Sequence, residues 1–448
     1  MTDKKNDSNA NTQKGFSRYR LSSSFGRGVS FGSPSSGRQD ATQESQTPND
    51  MPPPYSAVDP NTQQPAASTS QPPPFNSETD LLNSINEFLF DRPLCISTGP
   101  LFTSTVLFEQ DADIKNGNLI RINVEMSPTD SANKVKAIST INRKGEYEFK
   151  IDTRGLLKSG MQHSCTIKIL LPAFIQSTHP GLSIDLAGGS ITMANLSHIR
   201  FQHINMQLSN SKVIMAKIAS SNIRVSTTNG AVNTTDLVAE VLDINGTNTR
   251  VEIHKTQAGA ITISTTNSCI ALDSLTATSI KATAVNTHIN CTDVDVGDMQ
   301  LQTTKAMVKA ENVIADSLSI KNLYATVAGS WTIGRLLEVT TSIARISGTV
   351  AFKKPLVPAH IALHTTTCII DVALPAETFA GYFNALTNDS YVVLKWKGSQ
   401  LTDTIKYPPV RFEVDDVNEK RGTIGKADPL PHYFSAYTTH SQIEIDFE

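Results

Sequence analysis

The sequence predicts an all-β fold: a single-stranded parallel β-solenoid of about 19 residues per coil with irregular β caps, preceded by a disordered tail and one short helix. Three observations carry this. Apolar-x-apolar triplets recur at Ile204, Ile223, Leu242, Ile261, Ile280, Met299, Leu318 and Leu337, each 19 residues after the last and without a slip. Nine residues into each unit stands a β-branched residue: Val213, Val232, Val251, Ile270, Ile289, Val308, Val327 and Ile346. Six residues into each of the first five units stands an asparagine: Asn210, Asn229, Asn248, Asn267 and Asn286.

The physics of these columns points one way. Alternation such as Ile261-Thr262-Ile263 sends every second side chain to one face. Nineteen residues at roughly 3.3 Å each close a circuit of about 60 Å, room for three short strands and their corners. Coils stacked at roughly 4.8 Å bring like residues over like, so aliphatic columns fill the inside and each backbone pairs above and below. Eight such coils span about 38 Å. Asparagine tolerates a left-handed corner, and stacked amides hydrogen-bond along a ladder, so the five asparagines are read as a structural ladder. A period of two with abundant Thr and Val excludes a helical repeat.

Taken in order, residues 1–76 lack aliphatic periodicity and are rich in Ser, Asn, Gln, Pro and Gly. Such a segment buries too little apolar area to offset its ordering entropy and is expected to be disordered. Residues 1–38 carry seven basic residues against Asp3 and Asp7, and Phe16, Tyr19, Phe25 and Phe31 are interleaved with arginine and serine, the pattern of a solvated basic tail. Pro52-Pro53-Pro54-Tyr55 is a Pro-Pro-x-Tyr tetrad. Its prolines pre-set the polyproline II conformation, and an aromatic-lined groove such as that of a WW domain takes the prolines and the tyrosine ring. Pro72-Pro73-Pro74-Phe75 repeats it without the hydroxyl and is expected to dock more weakly, adding avidity on a tandem partner.

Residues 77–93 follow. Ser77 suits an N-cap, Leu81, Leu82, Ile85, Phe88 and Leu89 share a helical face, and Pro93 ends the run, so one short amphipathic helix is expected. Residues 94–200 hold irregularly spaced strands, among them LIRINVEM, EYEFKID, CTIKILLP and LSIDL, read as N-terminal coils and cap. Residues 201–352 are the regular solenoid. Residues 353–448 continue as C-terminal coils and cap, with CIIDVALP, SYVVLKWKG, VRFEV and QIEIDFE broken by longer turns and prolines. The caps are needed because solenoid ends expose unpaired strand edges.

Units such as VSTTNGAV (225–232) and ISTTNSCI (263–270), with the closing IEIDF, resemble an adhesin-like β-solenoid family of no established function, common in bacteria and fungi. The resemblance spans residues ~95–448 and implies the solenoid fold; the tail bearing PPPY looks like that of fungal members. The tetrad also resembles the recruitment motif for WW-bearing HECT-type ubiquitin ligases and the late-budding motif of viral matrix proteins.

Chemistry is sparse. The outward column of the triplets reads Asn205, Arg224, Asp243, Thr262, Lys281, Gln300, Ser319 and Glu338, with mixed signs and no two acids on neighbouring coils. Paired carboxylates, which glycoside cleavage requires, are therefore not expected there. Asp293, Asp295 and Asp298 are the richest acidic patch and are read as a solvated turn. His360 and His364 lie four apart, a metal-sharing distance on a helix but not on a strand. Trp331 and Tyr324 are expected to pack under the C-terminal cap. No metal and no cofactor is expected. A net charge of −3 provides no global field for nucleic acid or anionic membrane. The start MTDKKNDSNANTQ has no apolar signal core, and no run approaches the ~18 apolar residues of a membrane helix. Cys95, Cys165, Cys269, Cys291 and Cys368 are scattered, as reduced thiols are. The expectation is a cytoplasmic, non-enzymatic interaction or scaffold protein, with a WW-domain protein on its tail and an unidentified partner on its solenoid, either adaptor or client of a WW-bearing ligase. The alternatives are an adhesin-like surface protein exported without a classical signal, a β-helix polysaccharide enzyme and a matrix-like protein.

Overall fold

A computed structural model describes residues 77–80, 86–89, 91–99, 102–114, 119–127, 136–152, 163–173, 177–396, 410–425 and 431–448. Both proline tetrads and the basic stretch lie outside them. The described residues contain 29 strands and no helix. The N-terminal strands are β1 (Ser77–Asp80), β2 (Asn86–Leu89), β3 (Leu94–Thr98), β4 (Phe102–Asp111), β5 (Leu119–Ser127), β6 (Lys136–Ile141), β7 (Tyr147–Asp152), β8 (His163–Pro172), β9 (Ser177–His179), β10 (Leu182–Leu186) and β11 (Gly189–Ala194). The regular region holds β12 (Ile199–Ser209), β13 (Ser211–Thr228), β14 (Ala231–Thr247), β15 (Arg250–His254), β16 (Gln257–Thr266), β17 (Ile270–Val285), β18 (Ile289–Thr303), β19 (Val308–Asn322), β20 (Val327–Thr341) and β21 (Ile346–Phe352). The C-terminal strands are β22 (Ala359–His364), β23 (Ile370–Leu374), β24 (Gly381–Thr387), β25 (Val392–Trp396), β26 (Val410–Asp415), β27 (Glu419–Ile424), β28 (His432–Thr438) and β29 (Ile443–Phe447).

The regular region is a parallel β-solenoid. Ile204, Ile223, Leu242, Ile261, Ile280, Met299, Leu318 and Leu337 are successive parallel partners. Val213 through Ile346 form a second such column. Both columns are at most 1% exposed. Each coil has three faces. The first carries the triplet (204–209 and its equivalents), the second the β-branched column (211–216) and the third two inward residues such as Ile218 and Ser220. The stacked columns form one continuous aliphatic core.

Two corners are left-handed. Asn210, Asn229, Asn248, Asn267 and Asn286 have φ between 49° and 59°. Lys217, Asp236, Lys255, Ser274, Asp293 and Asn312, again 19 apart, have φ between 46° and 57° and form a second corner column that the sequence reading missed. Its residues share only polarity and spacing, a weak signal beside a run of asparagines. The Asn corner ends where Lys305 and Tyr324 replace it. Tyr324, Leu323 and Ile343 are exposed there, whereas Trp331 is 1% exposed. The expected shared packing of Tyr324 and Trp331 is thus half corrected: only the indole enters the core. Room for it comes from the small column Ala310, Gly329, Gly348. A Cβ on Gly348 would lie 3.1 Å from the indole and 2.3 Å from the Gly329 carbonyl.

The helix expected over 77–93 is also corrected. Ser77–Asp80 is a strand antiparallel to β6, and Asn86–Leu89 is a strand antiparallel to β5. Glu87 is exposed and Phe88 buried, an alternation hidden within the helical stripe. Phe88 meets the rings of Tyr147 and Phe149 edge-on, at 5.5 and 6.4 Å. A solenoid end presents unpaired strand edges, and satisfying them outweighs a local helical preference.

At both ends the stacking order departs from the chain order. The coil β3/β4 lies between β7/β8, which follow it, and β10/β11. The last strands, β28 and β29, lie between β22/β23 on one side and β24/β25 on the other. Outside these, β5 and β6 run antiparallel to β8 and β7, and β27 runs antiparallel to β24.

Candidate functional site

The outer side of the first face is the most continuous candidate surface. Period-two alternation points Asn205, Arg224, Asp243, Thr262, Lys281, Gln300, Ser319 and Glu338 outward, and parallel pairing sets them one above another. Two grooves open on this face. One of about 360 Å³ is lined by His203, Asn205, Asn222, Arg224, Val241 and Asp243. The other, of about 460 Å³, is lined by Asp298, Gln300, Ser317, Ser319, Leu336 and Glu338 among others.

Two pairs on this face link neighbouring coils. Arg224 Nε donates to Asp243 Oδ2 at 3.2 Å, and Ser319 Oγ donates to Glu338 Oε2 at 3.3 Å. Such exposed contacts are worth a fraction of a kcal/mol each, so they order the surface more than they stabilise it.

The acidic patch does not gather into a cage. Asp293 Oδ1 accepts from Asn312 at 3.0 Å. Lys353 Nζ lies 3.8 Å from Asp295 and 3.1 Å from Asp316, and Arg335 lies 3.4 Å from Asp298. The three aspartates thus turn to three different partners. His360 and His364 lie instead against tyrosines, His360 on Tyr433 (ring centroids 4.9 Å apart) and His364 on Tyr437 (5.2 Å). Among the described residues, no three His, Cys, Asp or Glu side chains converge as metal ligands.

Buried titratable groups sit elsewhere. Burial pushes the Cys165 and Cys291 thiols up to about 12, too high for a thiolate nucleophile at neutral pH. Burial, and then the neighbouring His203, hold His179 down at about 4. The asparagine ladder is a row of amide bonds at the first corner. Asn229, Asn248, Asn267 and Asn286 each donate Nδ2–H to the Oδ1 of the asparagine one coil earlier, at 3.1, 2.8, 3.0 and 3.2 Å.

Known proteins place this architecture. A solved structure from Clostridium sporogenes, described as a candidate cell adhesion protein, aligns over 82% of this chain and 99% of its own, at 7% identity and a TM-score of 0.17. That likeness is too low to bear on function. No curated protein matches the chain. The Toastrack DUF4097 family matches residues 109–349, which is 241 of the 448 residues and includes almost the whole regular repeat. The chain belongs to the Toastrack family.

Proposed function

We propose that the protein is a non-enzymatic binding scaffold whose working surface is the outer first face of the solenoid. One observation supports this above others. Along eight coils that face offers amides, hydroxyls and charges of both signs in register, with Arg224 paired to Asp243 and Ser319 to Glu338 across neighbouring coils. An extended polar surface built on stacked, hydrogen-bonded strands suits recognition of a long partner. In this reading the tail supplies a second, independent contact, with Pro52, Pro53, Pro54 and Tyr55 docking a WW domain and Pro72, Pro73, Pro74 and Phe75 assisting.

The test compares proteins captured from source lysate by the full chain and by a Lys281→Glu, Gln300→Glu variant, whose changes are exposed and leave the core intact. Loss of one set of captured proteins at an unchanged melting temperature supports the surface. Identical capture by both rejects it. A second reading, an adhesin-like surface protein, is favoured by one observation: Asn245, in the sequon Asn245-Gly246-Thr247, is exposed on this same face. Glycan on Asn245 of the native protein, read by mass spectrometry of its peptides, would shift the reading to that one.

A further inference from the structure

The C-terminal segment is bound as a ligand would be. β28 is flanked on both sides by parallel strands, β22 and β24, and β29 by β23 and β25. Without it, β22 and β24 would stand two strand spacings apart, roughly 9.6 Å, with four strand edges open. The matching insertion at the N-terminal end is different in kind. There β3/β4 precedes both of its neighbours in the chain, so later coils are laid on either side of it. At the C-terminal end the walls precede the insert in the chain.

The contacts that hold it are chemically distinct from those of the repeat. Its inward residues Phe434, Ala436, Ile443, Ile445 and Phe447 are at most 2% exposed. Four of its aromatic rings, those of His432, Tyr433, Tyr437 and Phe447, meet rings of the slot or of β21. His432 stacks on Phe352 with centroids 4.0 Å apart, and Phe447 on Trp396 at 4.3 Å. Tyr433 lies between His360 at 4.9 Å and Tyr382 at 5.6 Å, and Tyr437 stacks on His364 at 5.2 Å. The positions equivalent to Tyr433 and Tyr437 in the Ile261 coil are Ala260 and Ser264. Aliphatic columns alone are the same from coil to coil and specify a slot poorly; paired rings add attraction of their own and fix which segment fits and in what register.

We propose that the gap between β22/β23 and β24/β25 is a strand-acceptor site keyed by its aromatic rings, that residues 431–448 dock there last as a strap, and that the site takes the same segment from a second copy of the chain whenever its own strap is out. Exchange between copies forms the same contacts that it breaks, so the second copy is the occupant the slot already fits. This goes beyond the scaffold reading and does not depend on what binds the first face.

The experiment uses the full-length protein below its melting temperature. A fluorescent peptide of residues 431–448 is added in excess, its uptake is followed by anisotropy, and amide exchange of β28 and β29 is measured in parallel by mass spectrometry. Uptake is expected at the rate at which the β28 and β29 amides open. A peptide carrying Tyr433→Ser, Tyr437→Ser and Phe447→Ser is expected to lose uptake by at least tenfold. Ala362 and Ser435 are cross-strand partners, so oxidised Ala362→Cys/Ser435→Cys protein should take up no peptide and regain uptake on reduction. Absence of uptake by the unmodified chain, with β28 and β29 exchanging only when the interior coils do, overturns the proposal. So does uptake that persists in the oxidised protein, since the peptide would then sit elsewhere.

Discussion

Asn248 shows what a single corner residue contributes. Its φ is 52°, its Nδ2 donates to Asn229 and its Oδ1 accepts from Asn267. Asn248→Ala places a Cβ-bearing residue without a compensating amide in the left-handed region and breaks two exposed hydrogen bonds, a loss of about 2 kcal/mol. Asn248→Gly keeps the backbone at ease and should lose about half as much. Urea unfolding midpoints of the two variants give the comparison. Two buried histidines make the fold sensitive to acid. His179 is held at about 4 by burial and then by His203, and burial also lowers His432. Both folded-state values lie below the ordinary histidine value of 6.5. The stability these two histidines contribute is therefore at its plateau above pH 6.5 and falls with acidification from there, for His179 down to about pH 4, as the unfolded chain takes up protons that the folded one refuses. For His179 the loss amounts to about 3 kcal/mol. Melting temperatures between pH 7 and 4 should drop, and drop less in His179→Phe.

The coil is the unit at the next scale. A strand's inward and outward faces alternate with period two, so only a whole 19-residue step restores every column. Deleting residues 242–260 joins Val241 to Ile261 and keeps each column continuous. That protein should fold and melt cooperatively within several degrees of the parent, because coil energies are nearly additive. Deleting residues 242–250, an odd and partial step, turns buried residues outward and should abolish cooperative melting. Circular dichroism on heating distinguishes the two. The caps follow a different logic, visible in β1 and β2. In β2 Glu87 is exposed and Phe88 buried, and pairing with the open edge of β5 selects that strand over the helical stripe to which Phe88 and Leu89 also belong.

At the scale of the whole molecule, the tail and the solenoid make separable predictions. Tyr55→Ala should abolish binding of the full chain to an isolated WW domain, since in the proposed docking the ring and hydroxyl would anchor the tetrad. The melting temperature should not move, because the sequence around Tyr55 is Pro-rich and lacks the aliphatic periodicity of the core columns. Binding that survives in titration calorimetry would remove the tetrad from the proposed function.

Sequence by itself determined the coil. The 19-residue period, the aliphatic columns and the Asn210–Asn286 ladder each rest on like residues stacking over like, a nearest-neighbour rule written in the spacing. The first face was legible for the same reason, as the residues between the triplets. Tertiary structure alone decided the ends. Nothing periodic in residues 94–111 or 431–448 says that β3/β4 and β28/β29 are inserted out of chain order, because pairing across intervening segments leaves no mark in local spacing. Trp331 and the Ala310, Gly329, Gly348 column are complementary only once a residue of the third face meets the second across the core. Where the order of stacking departs from the order of the chain, only the closing of long-range edges selects the structure.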